Sequence, residues 1–151
     1  VPGGPTLDAL RSTISDLVAL TAHRSVKDLN HSPQRGEWSA AQVVAHMADA
    51  EMIYSVRVRM MLTDDNPRLV GYDQDAWAAR LSMSDRDVAG SLERFRILRD
   101  ANLRLYESLE SDEWARMGTH EETGLVTIKS TVETLIGHDR THLDQIRRLL
   151  P

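Results

Sequence analysis

The chain has 151 residues and no cysteine, about one domain's length, which excludes a disulfide scaffold, a thiolate zinc site, an iron–sulfur cluster and a cysteine nucleophile. Apolar residues make up 41% but aromatic ones only 5%, a balance that favours helices over a β-sandwich. Its 18 basic and 23 acidic residues give a net charge of −5, which speaks against nucleic acid as a partner. No run of roughly 18 apolar residues is present to span a membrane. Val1-Pro2-Gly3-Gly4-Pro5 has neither the basic nor the apolar stretch of a signal peptide. The expectation is a cytoplasmic protein with a disordered lead over 1–6 and a single domain over 7–150.

Thr6 reads as an N-cap. Leu7, Leu10, Ile14, Leu17, Val18 and Thr21 follow at steps of three and four, one face of a helix reaching to about residue 29. Residues 30–36 are a loop by composition. Ser39 with Gln42 has capping-box spacing, and Trp38 can pack over the first turn of the second helix. Val43, Met47, Ala50, Tyr54, Val58 and Met61 form its apolar stripe. Asp64-Asp65-Asn66-Pro67 stops it near Thr63. The stretch 64–83 is irregular, apart from a short helix over 73–81. Ser84, with Asp87 three residues on, opens the third long helix, whose stripe is Val88, Leu92, Phe95, Leu98, Leu105 and Leu109. Residues 112–126 read as a loop holding Trp114, Gly118, His120 and Gly124. The last helix covers about 127–150, with Ile128, Val132, Leu135, Ile146 and Leu149 on one face. Four amphipathic helices of roughly 22–27 residues predict an all-α four-helix bundle, with one short extra helix in the 64–83 connection.

The histidines carry the chemistry. His138 and His142 stand four apart, one turn apart on one helix face, so both can reach one ion. With Leu135 at zero on a helical wheel, His142 falls at about −20° and His138 at about −60°, on the inward side. His46 falls at about −60° from Val43 on the second helix, again at the edge of the core stripe. Three imidazoles converging from facing helices, with an open fourth position, match a reactive divalent site. Hydrogen-bonded or partly exposed histidines would satisfy the same spacing. His138-Asp139-Arg140-Thr141-His142 lacks the Glu of the zincin helix, which removes peptidase chemistry by that route.

Three motifs in order resemble the DinB-like superfamily. They are Trp38-Ser39 followed by Val43-Val44-Ala45-His46-Met47-Ala48-Asp49-Ala50-Glu51; Glu113-Trp114 with Gly118-Thr119-His120-Glu121 and Gly124; and Ile136-Gly137-His138-Asp139-Arg140-Thr141-His142-Leu143-Asp144-Gln145-Ile146. The resemblance runs over about residues 7–150. It implies a metal-binding four-helix bundle with a divalent ion on His46, His138 and His142. It also implies one of several activities: thiol-S-transfer with a low-molecular-weight thiol, maleylpyruvate-isomerase-like chemistry or metal-dependent hydrolysis. Homodimers are a further implication.

Other residues are candidates near such a centre. Asp139 falls at about +40° on the last helix and Glu51 at about +80° on the second, and buried carboxylates need partners. Arg57, at about −40°, is the expected partner. An internal ion pair fixing helix register, a general base, and a carboxylate accepting a ligand histidine's ring N–H are the three roles open to them. His120 lies near the mouth of the metal cavity in the resemblance, where it would orient substrate or exchange a proton. His23 and His31 match no motif. Met47, Met52, Met60 and Met61 read as core filler rather than copper ligands. Arg147 and Arg148 suit a helix C-terminus.

The functional expectation is a metal-dependent enzyme acting on a small molecule, in which the ion activates a bound water or thiol. Zinc or nickel is expected first, iron or manganese second. A non-catalytic metal- or ligand-binding bundle is the alternative. Met52, Val56 and Met60 fall at about 180°, 220° and 260° from Val43, a second apolar strip that predicts a homodimer unless residues 64–83 cover it.

Overall fold

The computed structural model describes residues 2–81 and 87–151. Its elements are α1 (Asp8–Thr21), α2 (Val26–Leu29), α3 (Ala40–Thr63), β1 (Arg68–Leu69), α4 (Gln74–Leu81), α5 (Val88–Ser108), a 3-10 turn (Glu113–Ala115), β2 (Met117–His120), β3 (Gly124–Thr127) and α6 (Ile128–Leu149). The long helices α1, α3, α5 and α6 make the expected four-helix bundle. The short helix of the second connection is α4.

Helix ends follow local chemistry. Ser39 accepts from Gln42 N while the Gln42 side chain accepts from Ser39 N, closing the capping box of α3. Thr127 and Ser130 close the same reciprocal pair on α6. Three expectations need correction. The first helix ends at Thr21: Ala22 turns extended, His23 takes a left-handed φ of 59°, and Ser25 caps a separate short helix. Thr6 does not cap it; the N-cap is Leu7, which provides no side-chain bond. Asp87 caps α5, bonding Ala89 N, and Ser84 lies outside the described residues.

The predicted loop 112–126 is largely a hairpin. β2 pairs antiparallel with β3, and β1 joins β2 in parallel, with Leu69 opposite His120. Gly118 allows this sheet to sit on the bundle, since a Cβ there would stand 2.8 Å from Leu69 Cδ1 and 3.0 Å from Met61 Cγ. At the chain start, Gly4 lies against the Trp114 ring.

Helices α3 and α1 each pack on both α5 and α6. Helices consecutive in sequence, α1 with α3 and α5 with α6, therefore sit on the diagonals. Long connections are what such an arrangement requires, because each must cross an end of the bundle. The core is two apolar clusters. One gathers Leu17, Val43, Val44, Met47, Phe95 and Ile146; the other Leu10, Val58, Met61, Tyr106, Ile128, Val132 and Leu135. At the level between them along each helix lies a buried polar layer: Thr13, Glu51, Arg99, Asn102 and Asp139.

Candidate metal centre

Helix α3 delivers His46 and α6 delivers His138 and His142 to one point. One ring nitrogen from each lies within 4.8 Å of the others. The ring centroids are 5.0 Å apart for His46–His138, 4.7 Å for His46–His142 and 4.4 Å for His138–His142. His46 is buried and the other two are half-buried, so the cluster is tethered in the bundle but open on one side. The i, i+4 pair and the inward wheel positions are what bring it together.

The donor set fits a divalent ion. Nε2 of His46 and Nε2 of His138 approach to 2.9 Å. Two nitrogens on a tetrahedral zinc at about 2.0–2.1 Å stand roughly 3.3 Å apart, so the rings would separate by only a few tenths of an ångström. His142 Nδ1 lies 2.8 Å from Gln145 Oε1; donating there leaves its Nε2 lone pair free. Burial, then the neighbouring His138 and His142, push His46 down to about 3. Burial and His138 also lower His142, opposed by the Gln145 bond and Asp139. Neutral imidazoles are the form that ligates a metal.

Beneath the cluster stands a buried ion network. The expected partner of the two carboxylates is corrected: it is Arg99 of α5, not Arg57. Arg99 Nη1 donates to Asp139 Oδ2 at 2.8 Å and to the Leu10 carbonyl at 3.0 Å, and its Nη2 donates to Glu51 Oε2 at 2.8 Å. Asn102 donates to Glu51 Oε1 at 2.7 Å, and Thr13 donates to Asp139 Oδ2 at 2.8 Å. Both Glu51 oxygens are thus engaged inside the protein. Asp139 keeps Oδ1 buried and unpaired, 3.9 Å from the equally unpaired Nδ1 of His138. That is too long for a hydrogen bond, yet each group is the other's nearest remedy. Burial would raise the Asp139 carboxyl; His138, Arg99 and Thr13 outweigh it and hold it below the ordinary range. Sequence reasoning missed Arg99, although an arginine four residues after Phe95 interrupts an apolar stripe.

Arg57 instead donates to the Val70 carbonyl at 2.9 Å and lies over the Tyr54 ring at 5.6 Å. Tyr54 in turn stands 6.3 Å from the His138 ring. His120 and His138 line one cavity of about 480 Å³ with Tyr54, Arg57 and Tyr72. His120 Nδ1 accepts from Glu122 N and Thr123 N, which fixes its ring by the hairpin turn. A second cavity of about 560 Å³ opens at His142, beside Trp38, Gln145 and Arg148.

Fold and cluster together define a four-helix bundle carrying three inward imidazoles at one level. The chain belongs to the DinB superfamily, which it matches over residues 9–146. It is similar to "Putative metal-dependent hydrolase YfiT" of Bacillus subtilis (strain 168), with 28% identity over 115 residues, 76% of this chain and 65% of that one; the match therefore spans just under two-thirds of that relative. A Bacillus cereus (strain 03BB102) protein named "Putative metal-dependent hydrolase" is 30% identical over 131 residues, 83% of this chain and 75% of that one. The solved YfiT structure from Bacillus subtilis, titled as a four-helix bundle of unusual topology, superposes with a TM-score of 0.88 at 24% identity, covering 95% of this chain and 82% of that one. At that identity the likeness concerns the fold. Among the described residues no helix is long and apolar enough to cross a membrane.

Proposed function

We propose that this protein is a metal-dependent enzyme acting on a small molecule, with His46, His138 and His142 as ligands and hydrolysis as its reaction. The observation that carries this is the three-imidazole cluster, closed below by the protein and open to a cavity above. The names of the relatives support the hydrolytic assignment. A divalent ion with three neutral imidazoles supplies Lewis acidity and lowers the pKa of a water or thiol. The chain's own residues do the rest. Gln145 orients His142. Asp139, held by Arg99 and Thr13, faces His138 Nδ1 at 3.9 Å and would accept its N–H in the loaded centre. His120, which lines the same cavity as His138, is the residue to exchange a proton with bound substrate in this reading.

Transfer of a low-molecular-weight thiol is the second reading, and the cavity at His142 favours it: it opens on the cluster apart from the cavity beside His138 and gives a second molecule its own approach. Zinc or nickel is the expected ion, ahead of iron or manganese. The protein also pairs as a homodimer in this reading. Met52 and Val56 are 37% and 52% exposed, whereas the α4 residues Trp77, Ala78 and Leu81 face Gln42, Ala45, His46 and Asp49 instead.

The test is elemental analysis of protein purified without an affinity tag. It is followed by a panel of esters, amides and thiol-plus-electrophile pairs run on the loaded protein. One equivalent of ion is expected for the natural sequence. His142→Ala should bind it at least about a hundredfold more weakly, a loss beyond that of an outer-sphere change. A variant with all three histidines replaced by alanine that still holds one equivalent would refute the site.

A further inference from the structure

We propose that the cavity beside His138 binds a small carboxylic acid with an apolar or aromatic body, and that Arg57 holds its carboxylate. This rests on the metal-centre reading only for where the reacting end of the molecule lies. The starting observation is an arginine without a counter-charge. Arg57 is half-buried, its Nη2 makes a single hydrogen bond to the Val70 carbonyl, and its Nε is buried with no partner. Among the described residues it enters no ion pair. Other cations that the fold withdraws from water are treated differently. Arg99 has two carboxylates and Arg94 has Asp49. Even Arg59 and Arg116, both exposed, are better supplied: Arg59 has Ser55 and Asn102, and Arg116 has the carbonyls of Met61 and Asp64. A half-buried guanidinium left with one backbone acceptor is a poor structural device and a good anion receptor.

The surroundings choose the anion. Among the described residues Arg57 is the only arginine or lysine lining this cavity, and the one carboxylate lining it belongs to Glu122, an exposed residue that makes no ion pair with Arg57. A single guanidinium matches a monoanion one to one, whereas a phosphate ester at about −1.5 to −2 would be left under-neutralised. Tyr54, Tyr72, Leu69 and Val126 supply an aromatic and aliphatic wall, which suits an apolar body, and the threonines and Ser130 of the same lining supply hydroxyls beside it. The volume, about 480 Å³, falls in the range of small-molecule sites. The Tyr54 ring lies near both ends: its centroid is 5.6 Å from the guanidinium carbon and 6.3 Å from that of the His138 ring. A molecule lying along that ring with its carboxylate on Arg57 has its far end at the histidine cluster.

The experiment is calorimetric titration of the full chain with hydrocinnamate and, separately, its neutral isostere hydrocinnamamide. Both are run on chelator-treated and zinc-loaded protein, and metal content is measured on every sample. The acid should bind at least about tenfold more tightly than the amide in the chelator-treated protein, and Arg57→Gln should abolish that preference. Arg57→Lys should retain only part of it, because an ammonium lacks the planar fork. If Arg57→Gln loses its helical circular dichroism, Arg57→Lys decides alone, and undiminished preference there overturns the proposal. Equal binding of acid and amide, no binding of the acid, or acid binding untouched by either substitution also overturns it. Because the decisive titration uses metal-free protein, failure of the metal centre shows in the metal content and leaves the Arg57 result standing. Loss of the carboxylate preference with full metal content refutes only the anion anchor.

Discussion

Replacing Arg99 by Met tests whether the buried layer is held by that one cation. The substitution keeps much of the side-chain volume and removes the charge. It deletes the bonds to Glu51, Asp139 and the Leu10 carbonyl, and the stacking of the guanidinium on Phe95 at 4.6 Å. The carbonyl bond is worth about 0.5–1.5 kcal/mol and the stacking about 0.5–2. The larger effect is that Glu51 and Asp139, both almost wholly buried, are left as two carboxylates with only Asn102 and Thr13 to serve them. Breaking a buried pair in this way costs about 3–5 kcal/mol. At roughly 2–4 °C per kcal/mol for a domain of this size, Tm should fall by about 10 °C. The deficit should shrink as pH falls, since protonation neutralises carboxylates whose pKa is now raised in the folded state. Adding Glu51→Gln and Asp139→Asn to Arg99→Met should recover much of the loss. Urea unfolding monitored by circular dichroism measures all of this. A cost below about 1 kcal/mol for the single variant, or a triple variant no more stable than the single, would refute the account.

Asp139→Asn should weaken zinc binding by about 10–100-fold in competition with a chromogenic chelator, because the carboxylate facing His138 Nδ1 is lost; unchanged affinity would remove Asp139 from the metal centre. His46 is held neutral down to about 3 in the folded chain, against about 6.5 when unfolded. The unfolded state therefore binds the extra proton first, and stability of the metal-free protein should decline as pH falls from about 6.5 toward 3. His46→Gln should flatten that slope in urea titrations across the window, and an unaltered slope would show that His46 does not carry it. Val56→Glu should convert a dimer to a monomer in light scattering with metal content unchanged; a monomeric parent at high micromolar concentration would end that reading.

Local rules were enough for much of this molecule. The α3 and α6 caps depend on residues three apart, and the apolar stripes repeat at the helical period, so both could be read directly from the chain. The same periodicity put His46, His138 and His142 on inward faces. What the chain alone could not decide was which faces meet. Asp139 and Glu51 announced buried carboxylates, but their cation comes from α5, which lies beside α3 with its Glu51 and reaches across the core to Asp139 of α6. Arg57 held a suitable angle on the wheel and was the wrong choice, because its guanidinium turns to Val70. The small sheet escaped for a related reason. Strands of two and four residues carry too little alternation to register as a pattern, and β1 exists only where the bundle brings Arg68 and Leu69 beside Thr119 and His120. The break after Thr21 is made by Ala22, which turns extended, and His23, which turns left-handed, though neither residue type forbids a helix. Spacing along one helix is set by the chain itself, whereas partners on different helices are set by packing, and packing decided the charge network, the sheet and the walls of the cavity.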